Sequence, residues 1–344
     1  IMENLSFYRA GLFTAILVTI LIGSWEYYLR AQKIDISYDD GGFLWSNKRA
    51  QVYSKENPTT VFIGSSRIKY GLDIPTWKKL TGENAIQLSV EGSSPLPVLK
   101  DLANDELFHG KLIIDVTEGL FFSTAERRME KPNEYIEFYK NLTPAQSFSF
   151  KVNTILESQF VFLNKDYFSL NALLDKIPVP KRTGVFSGPD FPMDFRNISY
   201  ERQSRMTDKF IADTNLQNKV KGIWKFLGSL PKGPPLIDTK LDSFITEIKT
   251  SIDKIKQRGG IVVFIRTPSS GPFIIMENKD FPREQYWNKL LTQTNCPGIH
   301  FSDYPETSSF ICPEYSHLSK QDAVRYTTQL IQIIKKEKPA NFNL

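Results

Sequence analysis

Two short motifs at opposite ends of the chain carry residue types that could work together on an ester. Ser66 stands two residues after Gly64 in a Gly-Ser-Ser-Arg sequence, directly behind the apolar run 59–63. His317 follows Glu314 by three residues near the other end of the chain. A serine hydroxyl is a weak nucleophile until a neutral imidazole takes its proton, and a carboxylate stabilises the resulting imidazolium. We therefore predict a catalytic triad of Ser66, His317 and Glu314.

The alternatives to this triad are ordinary structural roles. The Ser66 hydroxyl could cap backbone groups at a turn, and Glu314 could be exposed while His317 caps the last helix. Of the other two histidines, His109 precedes a predicted strand and His300 falls inside one, so we expect structural roles for both. Three scattered histidines and two cysteines show no zinc-like spacing, and we predict no metal and no cofactor.

Short apolar runs alternate with helical patterns and predict the elements that bring the triad together. Such runs are typical of strands buried on both faces, and the alternation predicts an α/β fold with a flavodoxin-like, doubly wound parallel sheet of about five strands. Because Ser66 and His317 each follow a strand, both are expected at the carboxyl edge of the sheet, where such folds bind ligands. The predicted strands are residues 59–63, 85–90, 112–116, 261–265 and 299–301.

The longest helical pattern and a long irregular segment complete the predicted domain. Residues 241–258 keep one apolar face, with Thr239 and Asp242 resembling a capping box and Gly259 supplying the stop. Residues 121–236 break the alternation of strands and helices and predict a mostly helical insertion over one end of the sheet. Loop signals inside this insertion are residues 178–180 and 187–189.

The N-terminal segment predicts a membrane anchor. Residues 10–29 carry no charge before Glu26, and twenty helical residues cross roughly 30 Å of hydrocarbon. A cleaved signal peptide is the alternative, but no small-x-small cleavage site follows the apolar stretch. With the short N-terminus inside, the globular domain lies outside the cytoplasm, on a single-pass protein of the cell membrane. The predicted organisation is a tail 1–9, an anchor 10–29, a linker 30–58 and an α/β domain 59–344.

Charge and cysteine content narrow the classes of partner. The formal net charge of +5 is spread over many Lys and Glu residues, which suits a solvated surface or anionic lipid, and nucleic-acid binding is not expected. Cys296 and Cys312 could form a disulfide in an exported domain or remain two buried thiols. Both possibilities stay open from the sequence.

Two arginines are expected near the predicted serine. Arg67 follows Ser66 directly, and Arg266 ends the fourth predicted strand at the same edge of the sheet. Guanidinium groups there could bind a carboxylate or another anionic group of a substrate. Alternatively, they pair with Glu118 and Asp115 and hold the loops together.

The Gly-x-Ser turn near the start and the acid-x-x-His near the end resemble the SGNH, or GDSL-like, hydrolase superfamily. The resemblance covers residues 59–335 without the insertion. It implies that the Ser66 and Gly92 amides bind the oxyanion of an acyl-transfer intermediate. The third block of that family offers an Asn, whereas this chain has Thr117, whose hydroxyl could donate, followed by Glu118. The acid of the last block is Glu314 in place of Asp.

The anchor and the Gly-Ser-Ser-Arg sequence are similar to those of membrane-tethered SGNH-like proteins of bacterial envelope polysaccharide systems. This narrower resemblance implies an esterase or O-acyltransferase for an envelope glycan or lipid ester, with the lipid bilayer and a membrane-bound O-acyltransferase as partners. Loss of one oxyanion donor costs about 100-fold to 1000-fold in rate. A catalytically weak or inactive scaffold subunit of a membrane complex is therefore the alternative function.

Overall fold

The computed structural model describes residues 2–53, 58–174, 177, 188–230, 233–339, 342 and 344, with side chains from residue 7 onward. The predicted loop at 178–180, residue 187 of the second predicted loop, and residues 54–57 of the predicted linker lie outside this range. The chain divides into two compact units. The N-terminal unit comprises residues 1–39 and 145–187, and the sheet unit comprises residues 40–144 and 188–344. Residues 145–187 of the predicted insertion thus group with the N-terminal helix.

The sheet unit contains a five-stranded parallel sheet, which confirms the predicted α/β class. Its strands lie in the order β2-β1-β3-β6-β7. Val61 pairs with Ile86 on one side and Leu112 on the other, and Ile265 pairs with Ile299. A separate two-stranded antiparallel pair joins β4 and β5. The strands are β1 Thr59–Ile63, β2 Asn84–Gln87, β3 Lys111–Asp115, β4 Asn197–Ile198, β5 Ser204–Arg205, β6 Ile261–Arg266 and β7 Gly298–His300.

Helices connect the strands and fill most of the remaining described chain. The α-helices are α1 Met2–Ala31, α2 Gly42–Ala50, α3 Ser66–Gly71, α4 Ile74–Thr81, α5 Leu96–Asn104, α6 Glu118–Phe121, α7 Glu130–Lys140, α8 Pro144–Glu157, α9 Lys165–Phe168, α10 Leu170–Leu174, α11 Asp208–Ala212, α12 Thr214–Ser229, α13 Asp238–Gln257, α14 Gly271–Asp280, α15 Lys289–Thr294, α16 Pro305–Ser308 and α17 Lys320–Glu337. Short 3₁₀ segments are Gln51–Tyr53, Glu126–Arg128, Val161–Leu163, Met193–Phe195 and Phe301–Asp303, and Glu284–Asn288 is a π turn.

Helix α13 differs from its predicted start. The helix begins at Asp238 after Ile237, whose backbone is extended, so the predicted capping box is wrong. Thr239 and Asp242 lie inside the helix, and the Asp242 carboxylate bonds Gln293 and pairs with Lys289 of α15. The predicted stop is confirmed, because Gly259 follows the helix with a φ of +83°. The Asp242 side chain, which the sequence predicted as part of a cap, thus links α13 to α15.

Apolar residues cover both faces of the parallel sheet. Along β1, Val61 and Ile63 contribute to one buried cluster and Phe62 to another, as expected for a strand whose side chains alternate between faces. Helices α5 and α13 pack in the first cluster, and Trp77 of α4 with Tyr326 of α17 pack in the second. Every residue of β1 is buried, so the five-residue apolar run in the sequence reflects burial on both sides.

The two cysteines belong to opposite faces of the sheet. Cys296 lies in the cluster with Val61, and Cys312 lies in the cluster with Phe62. Both are free thiols and buried. A disulfide needs Cβ atoms about 4 Å apart, and the sheet stands between these two side chains. The disulfide left open by the sequence is therefore excluded in this fold.

The N-terminal unit contains one helix long and apolar enough to cross a membrane. This candidate span covers Phe7–Ala31, 25 residues, and its most apolar 18-residue window has no buried residue, whereas Glu26 and Leu29 near its end are buried. Helix α1 already begins at Met2, so the described residues of the predicted tail 1–9 are helical. The exposed apolar surface of this helix is what a lipid-facing segment requires.

Candidate active site

Ser66 lies where β1 meets helix α3 at the carboxyl end of the sheet. Strand β1 ends at Ile63, and Ser66 is the first residue of α3. Only a glycine fits at position 64, because a Cβ there would stand 2.8 Å from the Asp115 Cβ and 2.8 Å from the Ile68 Cγ2. Because Gly64 has no side chain, the chain can turn sharply there. The turn places Ser66, which is half-buried, at the edge of the sheet.

The structure places His317 against Ser66. The Nε2 atom of His317 lies 2.8 Å from the Ser66 Oγ, within hydrogen-bond distance. His317 is 2% exposed and lies just before helix α17, which Ser319 caps by accepting a bond from the Asp322 amide. Ser319, and not His317, thus caps α17, and this cap fixes the loop that carries the imidazole.

Glu314 holds the other side of the imidazole. Its Oε1 lies 2.9 Å from the His317 Nδ1 and also accepts bonds from the backbone amides of His317, at 2.6 Å, and Ser316, at 3.3 Å. An ionised carboxylate only accepts hydrogen bonds, so Nδ1 carries a proton and Nε2 presents its lone pair to the Ser66 hydroxyl. This tautomer is the one that a general base requires.

An aromatic wall surrounds the imidazole and includes a residue that binds the acid. The Trp224 indole N–H donates to the Glu314 Oε2. Ring centroids of Tyr70, Phe195 and Trp224 lie 4.5, 5.7 and 5.9 Å from that of His317. With Glu314 fully buried, the relay lies in a largely dry environment, where its hydrogen bonds are stronger than in water.

A left-handed turn separates the acid from the histidine. Tyr315 has a φ of +81°, which is uncommon for a bulky residue. Its amide donates to the Cys312 carbonyl at 3.0 Å, and its carbonyl accepts a bond from the Ser270 amide at 2.9 Å. Gly271 lies beneath its ring, since a Cβ there would be 2.7 Å from the Tyr315 Cδ1. The turn allows Glu314 to fold back toward His317.

Arg67 and Arg266, predicted to bind substrate, are buried in an ion cluster. The Arg67 and Arg266 side chains are 3% and 1% exposed, and both contact the Glu277 carboxylate. Arg266 also pairs with Glu118 at 2.9 Å, and the Arg67 Nε donates to the Ser316 hydroxyl at 3.2 Å. The alternative of an internal pairing therefore describes this structure, although Glu277 replaces Asp115 as the partner of Arg67. Buried, paired guanidinium groups have few donors left for a substrate.

The same cluster sets the charge of Glu277. Burial raises the pKa of its carboxyl, but the two adjacent guanidinium groups outweigh this effect and lower the pKa to about 2. The Arg67 Nη1 is buried without a hydrogen-bond partner among the described residues. Because Arg67 follows Ser66 and bonds Ser316, the cluster links both sides of the Ser66 and His317 contact.

Two further predicted oxyanion donors lie on neighbouring loops. Gly92 has a φ of +66° in the turn after β2, and its carbonyl accepts a bond from Arg128 at 2.8 Å. The Thr117 hydroxyl donates to the Asp115 Oδ2 at 3.0 Å. Thr117 has a single hydroxyl proton, and Asp115 accepts its hydrogen bond in this structure. For Thr117 to donate to an oxyanion as predicted, its hydrogen bond to Asp115 would have to break. Within the part of the chain that the structure describes, no side chain accepts a hydrogen bond from the Gly92 amide.

The remaining histidines lie away from this arrangement. His300 Nδ1 accepts a bond from the Ser302 amide at 3.2 Å, and burial together with Arg266 and Arg283 lowers its pKa to about 3, so it is neutral at physiological pH. His109 is exposed and bonds the Leu107 carbonyl. Among the described residues, no group of His, Cys, Asp or Glu side chains is arranged to hold a metal ion.

Sequence reasoning missed the residues that support the triad. Trp224 and Glu277 lie on helices far from both motifs in sequence, and nothing local marks them as partners of Glu314 and Arg67. Tyr70 follows Ser66 by one helical turn, which is the only sequence signal that points to the aromatic wall.

Comparison with known proteins adds no identification. No family model matches the chain, and no curated protein matches it. Within the structure itself, the Ser66 hydroxyl, the His317 imidazole and the Glu314 carboxylate form a continuous hydrogen-bonded relay.

Proposed function

We propose that the protein is a membrane-anchored SGNH-like esterase or O-acyltransferase that acts on an envelope glycan or lipid ester. The observation that carries the proposal is the relay from the Ser66 Oγ to the His317 Nε2 at 2.8 Å and from the His317 Nδ1 to the Glu314 Oε1 at 2.9 Å. The strand order of the sheet, second-first-third-fourth-fifth along the chain, is that of flavodoxin-like sheets and supports a doubly wound SGNH-like domain.

The relay supports a two-step acyl transfer. In the first step the Ser66 Oγ attacks the ester carbonyl carbon while His317 takes the hydroxyl proton, and the imidazolium then gives that proton to the departing alcohol. The acyl group is left on Ser66. In the second step His317 deprotonates water or a sugar hydroxyl, which attacks the acyl carbon and restores Ser66. Glu314 stabilises the imidazolium in both steps.

The oxyanion that forms in each step needs hydrogen-bond donors close to the Ser66 Oγ. The backbone amides of Ser66 and Gly92 are the proposed donors, with Thr117 as the third. Removal of one such donor typically costs about 100-fold to 1000-fold in rate. We expect slow turnover as long as the Thr117 hydroxyl remains bonded to Asp115.

A scaffold role is the second candidate function. The observation that favours it is the Thr117 hydroxyl bonded to Asp115, at the position where the resembling family offers an Asn. Such a subunit would keep the fold and assemble with a membrane partner, such as a membrane-bound O-acyltransferase. In either function the helix α1 anchors a single-pass protein, with the sheet unit on the extracytoplasmic side.

Covalent labelling of Ser66 tests the enzymatic proposal. A fluorophosphonate probe should modify the full-length protein in detergent, and both Ser66→Ala and His317→Ala should abolish labelling and ester turnover. Ser65→Ala is the matched serine control, because its hydroxyl is buried without a hydrogen-bond partner among the described residues. His109→Ala is the matched histidine control, because His109 is exposed. Both controls should label like the parent protein.

The opposite result would favour the scaffold. If Ser66 stays unmodified in a folded protein, and Ser66→Ala still copurifies with its membrane partner and sustains the pathway in cells, the esterase proposal is wrong. Modification that persists in Ser66→Ala would indicate a different nucleophile and would also contradict the proposal.

A further inference from the structure

Helices α8 and α10 of the N-terminal unit carry exposed apolar side chains. We call these side chains together the outer apolar face, and the most exposed of them are Phe148 at 70%, Ile155 at 65% and Leu170 at 72%. Exposed apolar patches of this kind mark sites that contact a membrane or a protein. Among the described residues, the members of this face are Phe148, Val152, Ile155 and Leu156 on α8, Leu170, Leu173 and Leu174 on α10, and Ile177.

The orientation of helix α8 is the reverse of that expected in a water-soluble domain. Phe148, Val152 and Ile155 follow the spacing of a single helical face, and that face is exposed. The opposite side carries Glu157, which is 4% exposed and accepts a hydrogen bond from the Asn153 side chain at 2.8 Å. Because α8 buries Glu157 and exposes its apolar residues, it is suited to an apolar environment.

Specific bonds fasten this region to the end of helix α1. The Glu26 carboxylate accepts bonds from the backbone amides of Val161, at 3.0 Å, and Phe162, at 3.2 Å. Arg30 donates to the Gln159 carbonyl at 2.6 Å and pairs with Glu26 at 2.7 Å. Both contacts lie in the N-terminal unit, so the short segment between α8 and α9 is tied to one turn of the candidate span.

The position of that turn sets the depth of the attached helices. Glu26 lies roughly 28 Å along the helix from Phe7 at 1.5 Å per residue, close to the hydrocarbon thickness of about 30 Å. Trp25, Tyr27 and Tyr28 are exposed at the same level, at 43, 76 and 54%, as expected for aromatic residues of a membrane interface. The attachment therefore lies where the span leaves the hydrocarbon.

We propose that α8 and α10 lie in the interfacial layer of the bilayer, with the outer apolar face inserted among the lipids. The inference rests on the membrane anchor of the proposed function and is independent of the acyl-transfer chemistry. The occupant is lipid because the segment between α8 and α9 is bonded to Glu26 and Arg30, at the end of the span where the headgroups lie. An interfacial helix gains stability by burying its apolar side at the boundary of headgroups and acyl chains.

Lipid quenching of a fluorophore on α8 tests this inference. The full-length Ile155→Cys protein, labelled with an environment-sensitive nitrobenzoxadiazole dye, is reconstituted in phosphatidylcholine and phosphatidylglycerol vesicles. The native thiols do not interfere, because Cys296 and Cys312 are only 5 and 2% exposed. Emission should shift to the blue, phospholipids with a shallow doxyl group should quench it, and aqueous iodide should not.

Three further variants, each with one residue replaced by cysteine, provide the controls. Ile20→Cys reports on the anchor, and its label should be quenched by deep doxyl lipids. Ile311→Cys reports on the sheet unit, where the side chain is 75% exposed, and its label should be quenched by iodide alone. Leu170→Cys repeats the test on α10 should the Ile155 variant fail to fold.

The controls separate failure of this inference from failure of the anchor. Iodide quenching at positions 155 and 170, with lipid quenching at 20, would overturn the interfacial placement and leave the anchor intact. Protection of 155 and 170 from both quenchers would mean that protein covers the face, which also overturns lipid as the occupant. Absence of lipid quenching at position 20 would refute the anchor itself, and this inference with it.

Discussion

At the scale of single residues, the Glu314 carboxylate makes more hydrogen bonds than the His317 imidazole does. Glu314 accepts bonds with Oε1 from two backbone amides and the imidazole, and with Oε2 from the Trp224 indole. A carboxylate with this many donors is held in one orientation, so His317 is held as well. Glu314 thus contacts both its own loop and Trp224 on helix α12.

Replacement of Trp224 should slow catalysis without removing the triad. Trp224→Phe keeps an aromatic ring beside His317 but loses the N–H bond to Glu314. Hydrogen bonds to charged groups contribute about 1.5 to 3 kcal/mol, so we expect kcat/KM for an ester substrate to fall about 10-fold to 100-fold. The fall should appear in kcat and in the rate of fluorophosphonate labelling.

Trp45→Phe is the control for this experiment. It removes another indole bond, from Trp45 to the Leu88 carbonyl at 3.0 Å, away from the triad. Its labelling rate should match that of the parent protein even if its thermal stability is lower. Equal losses in the two variants would show that Trp224 supports the fold and not the relay.

The buried ion cluster predicts a specific response to acid. The pKa of Glu277 is about 2 in the folded protein and near 4.5 when the group is unperturbed. Because the folded value is the lower one, the stabilisation is complete above about pH 4.5 and disappears as the pH falls toward 2. Glu277→Gln should therefore unfold at a lower temperature at pH 7 and lose less stability between pH 5 and pH 3 than the parent protein.

Thermal unfolding in detergent across this pH range checks the prediction. Asp303→Asn is the control, since its ion pair with Arg283 is substantially exposed, with side chains 41 and 37% accessible, and exposed pairs contribute little. If Glu277→Gln follows the same pH dependence as the parent protein, Glu277 is not the group whose titration destabilises the fold in acid.

At the scale of elements, the contact between β1, β3 and α3 determines where Ser66 lies. Gly64 leaves no room for a side chain between Asp115, at the end of β3, and Ile68 in α3. The nucleophile is thus positioned by the packing of backbone against a neighbouring strand. This explains why the motif needs a glycine two residues before the serine, whatever residue stands between them.

Gly64→Ala should displace helix α3 and with it the serine. The added methyl group would lie 2.8 Å from two carbon atoms, and overpacking of this kind typically costs about 1 to 3 kcal/mol. We expect a lower unfolding temperature and at least partial loss of probe labelling. Gly222→Ala in α12 is the control, because no atom lies within 4 Å of its added Cβ and Ala favours a helix. A Gly64→Ala protein with full labelling would contradict the proposed positioning.

The sequence predicted the parts of the fold that depend on local pattern. Strand β1 coincides with the predicted run 59–63 and is buried along its whole length. The turn after it carries Ser66, and the loop before α17 carries His317. Strands β4 and β5 have two residues each, which is too few for a periodic pattern to predict a strand. The partners Trp224 and Glu277 could not be predicted either, because a helical pattern gives the buried face of a helix but not the side chain that it meets.

At the scale of the whole molecule, the insertion is not one structure. Residues 145–187 group with the N-terminal helix, whereas the described residues 188–230 group with the sheet and contribute Trp224 to the site. The sequence could not reveal this division, because both parts have similar aromatic and polar composition. Contacts such as that of Glu26 with Val161 join positions 135 residues apart.

Charge placed in helix α1 should release the protein from membranes. Each Lys near the centre of a span costs about 2.5 to 3.5 kcal/mol of insertion free energy, so Ile16→Lys combined with Ile20→Lys should cost about 5 to 7 kcal/mol. In alkaline carbonate extraction, the double variant should move from the membrane pellet to the supernatant. Ile311→Lys, on the exposed surface of the sheet unit, should stay in the pellet. Retention of the double variant would argue against a single-helix anchor.

The turn at Tyr315 has a consequence for how this protein can evolve. Its ring occupies the space that a side chain at Gly271 would need, 2.7 Å from the Tyr315 Cδ1, and Gly271 itself has a φ of +56°. A change at either position alters the fit at the other, beside the acid loop. Among related sequences we therefore expect positions 271 and 315 to covary: a smaller residue at 315 should accompany any departure from glycine at 271.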